Sequence, residues 1–409
     1  MSVTVPSGYK QTKVGVIPED WEIVKLRDIC TFYSGGTPTS TNKEYYNGNI
    51  PFIGSGNIND THVKQFITQE ALNTSSAKLV NKGDLLYALY GATSGEVAIS
   101  KISGAINQAI LCIRSKENLY FLYQFFLLKK NKIIATFLQG GQGNLSAAII
   151  KNLIIPLPLL KEQQKIAQIL TTWDDAISKQ ENLIKAKETL KKGLMQKLLS
   201  GEVRFEGEWK QISLVDIASR ITTKNTDSSV DMIFTNSALN GIVIQNEFFD
   251  KDIANRDNLT GYYIVEGGDF VYNPRISKFA PCGPINRNRY DFSGIVSPLY
   301  TVFRINENEV NKYFEYFFSS TLWFRYMKAI ANYGARHDRM NISNKDFMKM
   351  PIPYPTKEEQ EKIAQILTTA DKEIELLKKE LETLKEQKRG LMQRLLTGKV
   401  RTLKIKEKE

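Results

Sequence analysis

The stretch EQQKIAQILTT at Glu162–Thr172 returns almost unchanged as EQEKIAQILTT at Glu359–Thr369, and GLMQKLLSGEVR at Gly193–Arg204 returns as GLMQRLLTGKVR at Gly390–Arg401. Both pairs stand 197 residues apart. A shared offset in two separated segments marks a duplicated unit and settles the architecture before any local reading. Each copy follows a proline couplet, Pro156 with Pro158 and Pro351 with Pro353, which stops an incoming strand or helix. Beyond it, apolar residues recur at helical spacing. The first copy runs Ile166, Ile169, Trp173, Ile177, Leu183, Leu190, Leu194 and Leu198. The second runs Ile363, Ile366, Ala370, Ile374, Leu377, Leu381, Leu384, Leu391 and Leu395, with a gap at Lys388. Such stripes predict two long amphipathic helices, each with one apolar seam. Thr356 and Glu359 have capping-box spacing, and Gly201 and Gly398 sit where helices stop. About 40 residues at ~1.5 Å each make a rod of roughly 60 Å. A lone helix would expose its seam, so each copy needs a partner and the nearest is the other. Gly193 and Gly390 fall inside these helices, where glycine costs about 1 kcal/mol against alanine, and point to close helix contact or a partner surface.

Upstream the similarity is weaker but keeps its order. DWEIVKLRDI at Asp20–Ile29 matches EWKQISLVDI at Glu208–Ile217, GDLLY at Gly83 matches GDFVY at Gly268, and INQAILCIR at Ile106 matches VSPLYTVFR at Val296. LLYALY, AILCIR and LYTVFR read as strands, while FLYQFFLLKK and YFEYFFSSTLWFRYM have helical spacing. The expected fold class is α+β: two α/β globules separated by two long antiparallel helices as a coiled-coil spacer, with a pseudo-twofold internal repeat. The expected boundaries are a globule at 1–155, a helical spacer at 156–205, a second globule at 206–350 and a C-terminal helical spacer at 351–409.

The 409 residues carry a formal net charge of +11, which suggests a polyanionic partner, double-stranded DNA above all. Cys30, Cys112 and Cys282 are isolated in sequence, so neither a disulfide framework nor a zinc ribbon is expected. The opening MSVTVPSGYKQTK lacks an apolar core of signal-peptide length, and the longest apolar run, Leu119–Leu128, is about half a membrane span. The expectation is a cytoplasmic chain with no membrane partner. Catalytic inventories come up short. Two histidines, His62 and His337, leave little scope for a metal cluster or a Ser-His-Asp triad, and no GxxxxGK[ST] occurs. No Asn-Pro-Pro-aromatic or Asp-Pro-Pro-Tyr stretch occurs either. Paired carboxylates such as Glu19 with Asp20, or Asp174 with Asp175, read as solvated surface. The chain is expected to have no catalytic residues, no metal site and no cofactor of its own.

Charge by segment places the partner. Residues 1–155 carry a net +5, whereas 206–350 carry zero, yet the second globule holds nine arginines to two in the first. Arginine's planar fork reads guanine or clamps phosphate, while lysine supplies a point charge. Loops of small polar residues between apolar strands are the natural reading surfaces. In the first globule the candidate DNA-binding residues are Ser34, Gly35, Gly36, Thr37, Thr39, Lys43, Tyr90, Thr93, Ser94, Gln142 and Asn144. In the second they are Arg220, Lys224, Asn273, Arg275, Lys278, Arg287, Arg289, Arg336 and Arg339, with His337 beside the last two. The helix-pairing candidates are Ile166, Ile169, Trp173, Ile177, Leu190 and Leu194 against Ile363, Ile366, Ile374, Leu377, Leu381, Leu384 and Leu391.

These features together resemble the specificity (S) subunit of type I DNA restriction–modification systems. The resemblance rests on the opening GVIPEDWEIVKLRDI, the proline couplets running into EQQKIAQIL and EQEKIAQIL, the GLMQ(K/R)LL(S/T)G(E/K)VR tails, and GDFVYNPRIS followed by GIVSPLY. It covers nearly the whole chain. It implies two target-recognition domains, each reading one half of a bipartite asymmetric DNA target, held apart by the helices. It also implies docking of two modification subunits, which carry S-adenosylmethionine, and of restriction subunits, which carry ATP and Mg. Two other readings stay open: an orphan S-like DNA-binding protein without an active complex, and a coiled-coil scaffold whose globules bind proteins.

Overall fold

The computed structural model describes residues 5–137, 144–205, 207–248, 256–332 and 338–403. The chain divides into two compact units, Met1–Glu181 with Lys379–Glu409, and Asn182–Lys378. Each contains one globule and a segment of both long helices.

In the first unit the central sheet is formed by β1 (Cys30–Ser34), β2 (Leu85–Ala88), β3 (Val97–Ile99) and β4 (Ile110–Ser115), in the order β1-β4-β2-β3 and all antiparallel. β2 is buried along its whole length, which is why LLYA shows no polar alternation. Helix α1 (Leu119–Phe137) packs Phe121, Leu122 and Phe126 onto this sheet. The globule then enters α2 (Leu160–Ser200), the first long helix. The second unit repeats the plan. β5 (Ala218–Ile221), β6 (Phe270–Tyr272), β7 (Ile285–Arg287) and β8 (Thr301–Ile305) form an antiparallel sheet in the matching order β5-β8-β6-β7. Helix α3 (Asn311–Ser319) covers it with Tyr313, Phe314 and Phe317, and α4 (Lys357–Leu395) is the second long helix. The two mixed globules, the long antiparallel helices and the internal repeat expected from the sequence are present.

The repeated Gly-Asp has a local cause. Gly83 and Gly268 take left-handed φ values of +97° and +94°, which a side chain resists. The aspartate that follows closes the turn: Asp84 accepts from the Asn81 amide at 2.7 Å, and Asp269 from the Glu266 amide at 2.8 Å. Each then grips an arginine of the neighbouring strand. Arg114 donates to both oxygens of Asp84 at 2.9 and 2.6 Å, and Arg304 to both oxygens of Asp269 at 2.6 and 3.0 Å.

The motif that opens each long helix latches it to its globule. Glu162, 1% exposed, accepts from the Trp21 indole at 3.1 Å and from Arg401 at 3.0 and 2.9 Å, while Arg401 also forks onto Asp20. Glu359 accepts from the Trp209 indole at 2.9 Å and the Phe205 amide at 2.9 Å. Asp20 is exposed as expected and in addition serves as an ion-pair partner. The Thr356 hydroxyl caps the Glu359 amide at 3.4 Å, but the Glu359 carboxylate is committed to Trp209 and Phe205, so the reciprocal half of the expected box gives way to a tertiary contact. Gly201 and Gly398 both adopt φ +73° and terminate the helices, with Val203 N–H reaching the Lys197 carbonyl and Val400 N–H the Arg394 carbonyl.

Within each unit the long-helix segments pair antiparallel. In the first, Ile166, Leu170, Trp173 and Ile177 of α2 share the seam with Leu381, Leu384, Leu391 and Leu395 of α4. Gln180 meets Glu380 at 3.0 Å and Lys385 meets Glu181 at 3.3 Å. In the second, Ile184, Leu194 and Leu198 of α2 match Ile363, Leu367, Ile374 and Leu377 of α4, and Lys378 meets Glu188 at 2.6 Å. Ile169 and Ile366 flank the seam half-buried against the two globules' cores.

Two seam expectations are corrected. Leu190 is 57% exposed and Leu183 41% exposed, whereas Ile184 is buried. The true frame is the heptad through Leu170, Ile177, Ile184, Lys191 and Leu198, and its penultimate place is held by a lysine. The apparent gap at Lys388 is the same feature 197 residues on: Lys388, 9% exposed, occupies a seam position of α4. Lys388 donates to Asp174 at 2.6 Å, and Lys191 pairs with Asp371. Each aspartate also accepts from a tyrosine of its own globule, Tyr120 at 2.5 Å and Tyr316 at 2.7 Å. Asp174 is thus a buried-side hub and not the solvated carboxylate expected from its place beside Asp175. Gly193 and Gly390 have nothing within 4 Å of an added Cβ, so close helix contact does not explain them.

Removing one partner of these polar nodes leaves a partly buried group unsatisfied, at a cost of about 1–3 kcal/mol. Lys388→Ala is expected to lower the melting temperature followed by circular dichroism, while Lys385→Ala, at an exposed pair, shifts it by a small fraction of that change. The acid limb gives a second check. Burial alone would raise Asp84 and Asp371, but hydrogen bonds from Arg114 and the Asn81 amide, and from Lys191 and Tyr316, outweigh it and hold both below the ordinary value of 3.8. A carboxyl depressed by folding stabilises above its unfolded value, and that contribution is lost as pH falls through the folded one. Unfolding free energy should therefore decline below about pH 4, with a shallower decline in Asp84→Asn.

Candidate nucleic-acid interface

Strand direction decides which loops meet. In the first sheet Ser34 pairs with Leu111 and Ala88 with Ile110, so the loops leaving β1 and β2 and the loop entering β4 emerge at one end. In the second, Ile221 pairs with Val302 and Tyr272 with Thr301, which gathers the loops leaving β5 and β6 and the loop entering β8 in the same way. Rigid strands thus present three irregular segments side by side in each unit.

In the first unit Ser34 ends β1, and Gly35 and Gly36 lie so close to Ile106 and Ser76 that a Cβ would stand 1.7 Å from the Ile106 carbonyl oxygen and 2.5 Å from Ser76 Cβ. These glycines set the path of the loop. Thr37 then donates to Gln108 at 2.6 Å, linking the loop leaving β1 to the loop entering β4. Thr39 is exposed, and so is Lys43 at the start of a short 3₁₀ turn capped by Asn42. Tyr90 and Thr93 are half-buried in the turn after β2, and Ser94 donates to the Leu89 carbonyl at 2.9 Å. Leu145 N–H bonds to the same carbonyl at 2.9 Å, which brings exposed Asn144 beside that turn. Gln142 lies outside the described residues.

In the second unit exposed Arg220, the penultimate residue of β5, has its guanidinium 6.0 Å from the centroid of the Tyr263 ring, and Lys224 forms a backbone bridge with Tyr263. Asn273 is 7% exposed and pins its loop: its amide donates to the Asn236 carbonyl at 3.0 Å and the Tyr300 hydroxyl at 3.3 Å, and its oxygen accepts from the Arg275 amide. Arg275 pairs by backbone with Arg339, and Lys278 is exposed farther along the same loop. Arg220, Pro274, Tyr300, Thr301 and Arg339 line one cleft of about 430 Å³. Arg336 and His337 lie outside the described residues.

Arg287 and Arg289 are not part of this cluster. Arg287 pairs with Phe270, at the far end of β6 from Tyr272, and its Nε donates to the Gly268 carbonyl at 3.3 Å. Arg289 is engaged by Glu315 of α3. Conversely, sequence reasoning passed over Asn107–Ala109 and Ser297–Tyr300, the loops entering β4 and β8. Their signal was their place directly before the matched strands of INQAILCIR and VSPLYTVFR.

The chemistry offered is hydrogen bonding and charge. Among the described residues no group of three or more His, Cys, Asp or Glu is arranged to hold a metal ion. Burial pushes the Cys30 and Cys112 thiols up to about 11, far from a reactive thiolate. No helix among the described residues is long and apolar enough to cross a membrane.

Two loop clusters of matching construction in one chain define a two-headed recognition protein. A family profile for the type I restriction modification DNA specificity domain matches residues 18–186 and again 206–386, and the chain belongs to that family. It is 26% identical over 408 residues to the type I restriction enzyme MjaVIII specificity subunit of Methanocaldococcus jannaschii, covering 94% of each chain. Its fold is similar to a chain in a solved structure of a type I R-M system described for complex assembly and conformational transition, with a TM-score of 0.61, 15% identity and 94% and 99% coverage of this and that chain. The S subunit of a type I system from M. genitalium gives a TM-score of 0.51 at 15% identity, covering 96% of this chain and 98% of that one.

A residue that pins the loop and an exposed residue on it are expected to respond differently to loss. Asn273→Ala is expected to lower the melting temperature of the second unit, since it orphans buried groups at roughly 1–3 kcal/mol. Lys278→Ala is expected to leave melting unchanged and to weaken DNA binding measured by fluorescence anisotropy.

Proposed function

We propose that this chain is the specificity subunit of a type I restriction–modification assembly, in which each globule reads one half of a bipartite asymmetric target in double-stranded DNA. The carrying observation is the duplicated sheet-end loop cluster, built once in each unit on the same strand order. Loop side chains enter the groove and read base edges, while lysines and arginines fix register on phosphates. The candidate residues at the two loop ends are the contacts, and Arg287 and Arg289 act apart from them.

The long helices set the spacing between half-sites and receive two modification subunits, with restriction subunits completing the assembly. Two features support a docking role: the open space over Gly193 and Gly390, and Leu190 standing exposed one turn before Gly193. Methyl transfer with S-adenosylmethionine, and translocation and cleavage with ATP and Mg, fall to those partners. This chain supplies the address and works in the cytoplasm beside the host DNA.

Replacing residues 206–350 with the corresponding domain of another such subunit is expected to change one half of the methylated sequence and leave the other half intact. Sequencing of methylated adenines in cells carrying the hybrid reads the result directly. Both halves changing together would defeat the modular reading.

A further inference from the structure

Two clefts of the second unit differ in charge. The one at the loop end has, among the described residues, two arginines and no carboxylate in its lining. The other, about 640 Å³ and beside α3, contains Glu315, Asp371 and Glu375 among its basic groups. In that second cleft Arg289 and Lys312 both pair with Glu315, and Lys191 pairs with Asp371. Three of its five cations are thus matched by carboxylates of the cleft itself.

At the loop end the two arginines are held in place with donors left over. Arg220 lies over Tyr263, a contact with a ring face that leaves the guanidinium's in-plane donors available. Arg339 is half-buried and its Nε forms an ion pair with Asp338 at 3.5 Å, too long for a hydrogen bond, so that among the described residues this shielded N–H has no hydrogen-bond acceptor and the two terminal NH2 groups of the fork have no partner. A guanidinium is all donor. Of the base edges presented in the major groove, guanine alone offers two adjacent acceptors, N7 and O6; adenine and cytosine each offer a donor, and thymine one acceptor beside a methyl. The rim next to the arginines carries Pro298 and Leu299, the latter 53% exposed on a turn fixed by Ser297, whose hydroxyl accepts from the Leu299 amide and whose carbonyl accepts from the Tyr300 amide. An apolar rim excludes water and strengthens the charged hydrogen bonds beside it.

We propose that this cleft is a guanine-reading site: the half-target recognised by the second unit contains guanine, bound at its N7 and O6 edge by Arg339, with Arg220 as the neighbouring donor. The proposal rests on the DNA-recognition reading above and adds the identity of a base.

The test is selection of bound sequences from a random DNA pool, at fixed salt, by the chain assembled with its modification subunit. The wild-type complex is expected to enrich a bipartite motif with a guanine in one half. Arg339→Ala should reduce discrimination at that guanine by about 10- to 100-fold, the range of one bidentate contact, and leave the other half-site unchanged, which also serves as the folding control. Arg339→Lys keeps the charge and loses the fork, so it should lose the same preference while retaining the salt dependence of binding. A responding half without guanine, or equal weakening on every sequence as a phosphate contact would give, overturns the guanine site alone. Enrichment of no bipartite motif by the wild-type complex overturns the recognition reading with it.

Discussion

The pairing of the two long helices is specified by a polar contact placed where a coiled coil ordinarily wants leucine. Lys191 and Lys388 occupy heptad seam positions and reach across to Asp371 and Asp174. The lysine ends are largely buried and the aspartates about a third or more exposed, and a pair so placed adds little net stability over a hydrophobic equivalent. Its use is specification, because a lysine in the seam is tolerated only where a carboxylate faces it, and a slip of one heptad separates the two. The pairs are the same contact made twice, 197 residues apart with roles exchanged between helices. An antiparallel register that satisfies one satisfies the other.

The same aspartates couple the helices to what they carry. Asp174 accepts from Tyr120, and also from Gln124 at 2.8 Å, on α1; Asp371 accepts from Tyr316 on α3. Glu162 and Glu359 tie the helix starts to Trp21 and Trp209. Each globule is thus fixed to its helix segments by directional bonds at two levels, in addition to shared apolar packing. A reader that must meet DNA at a set orientation needs its loops fixed on strands, its strands on a sheet, and its sheet on the helices. The Gly-Asp turns serve the middle step, since Asp84 and Asp269 each hold the arginine of the adjacent strand.

The repeat, the fold class and the helices were legible because duplication and periodicity are properties of spacing. Errors arose where a side chain could be placed in more than one frame. Leu190 looks like a seam residue beside Leu194, but the 3.5-residue period runs through Ile184 and Lys191, and a lysine breaks the apolar reading. Asp174 beside Asp175 looks solvated because nothing local announces a tyrosine about fifty residues earlier and a lysine more than two hundred later. The loop-end clusters were partly legible, since polar loops between strands stand out. Arg287 and Arg289 could not be sorted from Arg220 and Arg339 without knowing which end of β6 each strand pairs with.

That sorting also resolves why a basic protein would read DNA through a globule of zero net charge. Net charge adds groups that neutralise one another inside the fold to groups that face a ligand. Arg304 is matched by Asp269 and Glu266, and Arg289 and Lys312 by Glu315, all away from the loop end. What remains at the loop end is a local excess, Arg220, Arg275 and Arg339 against Asp338, beside a cleft whose described lining holds no carboxylate. Long-range attraction to phosphate depends on the total and is screened within about 10 Å at ordinary salt. Base discrimination depends on donors a hydrogen bond away from an acceptor edge, and is indifferent to the total. Zero net charge in one globule is therefore no obstacle to base selectivity there, since long-range attraction can draw on the basic groups of the whole chain.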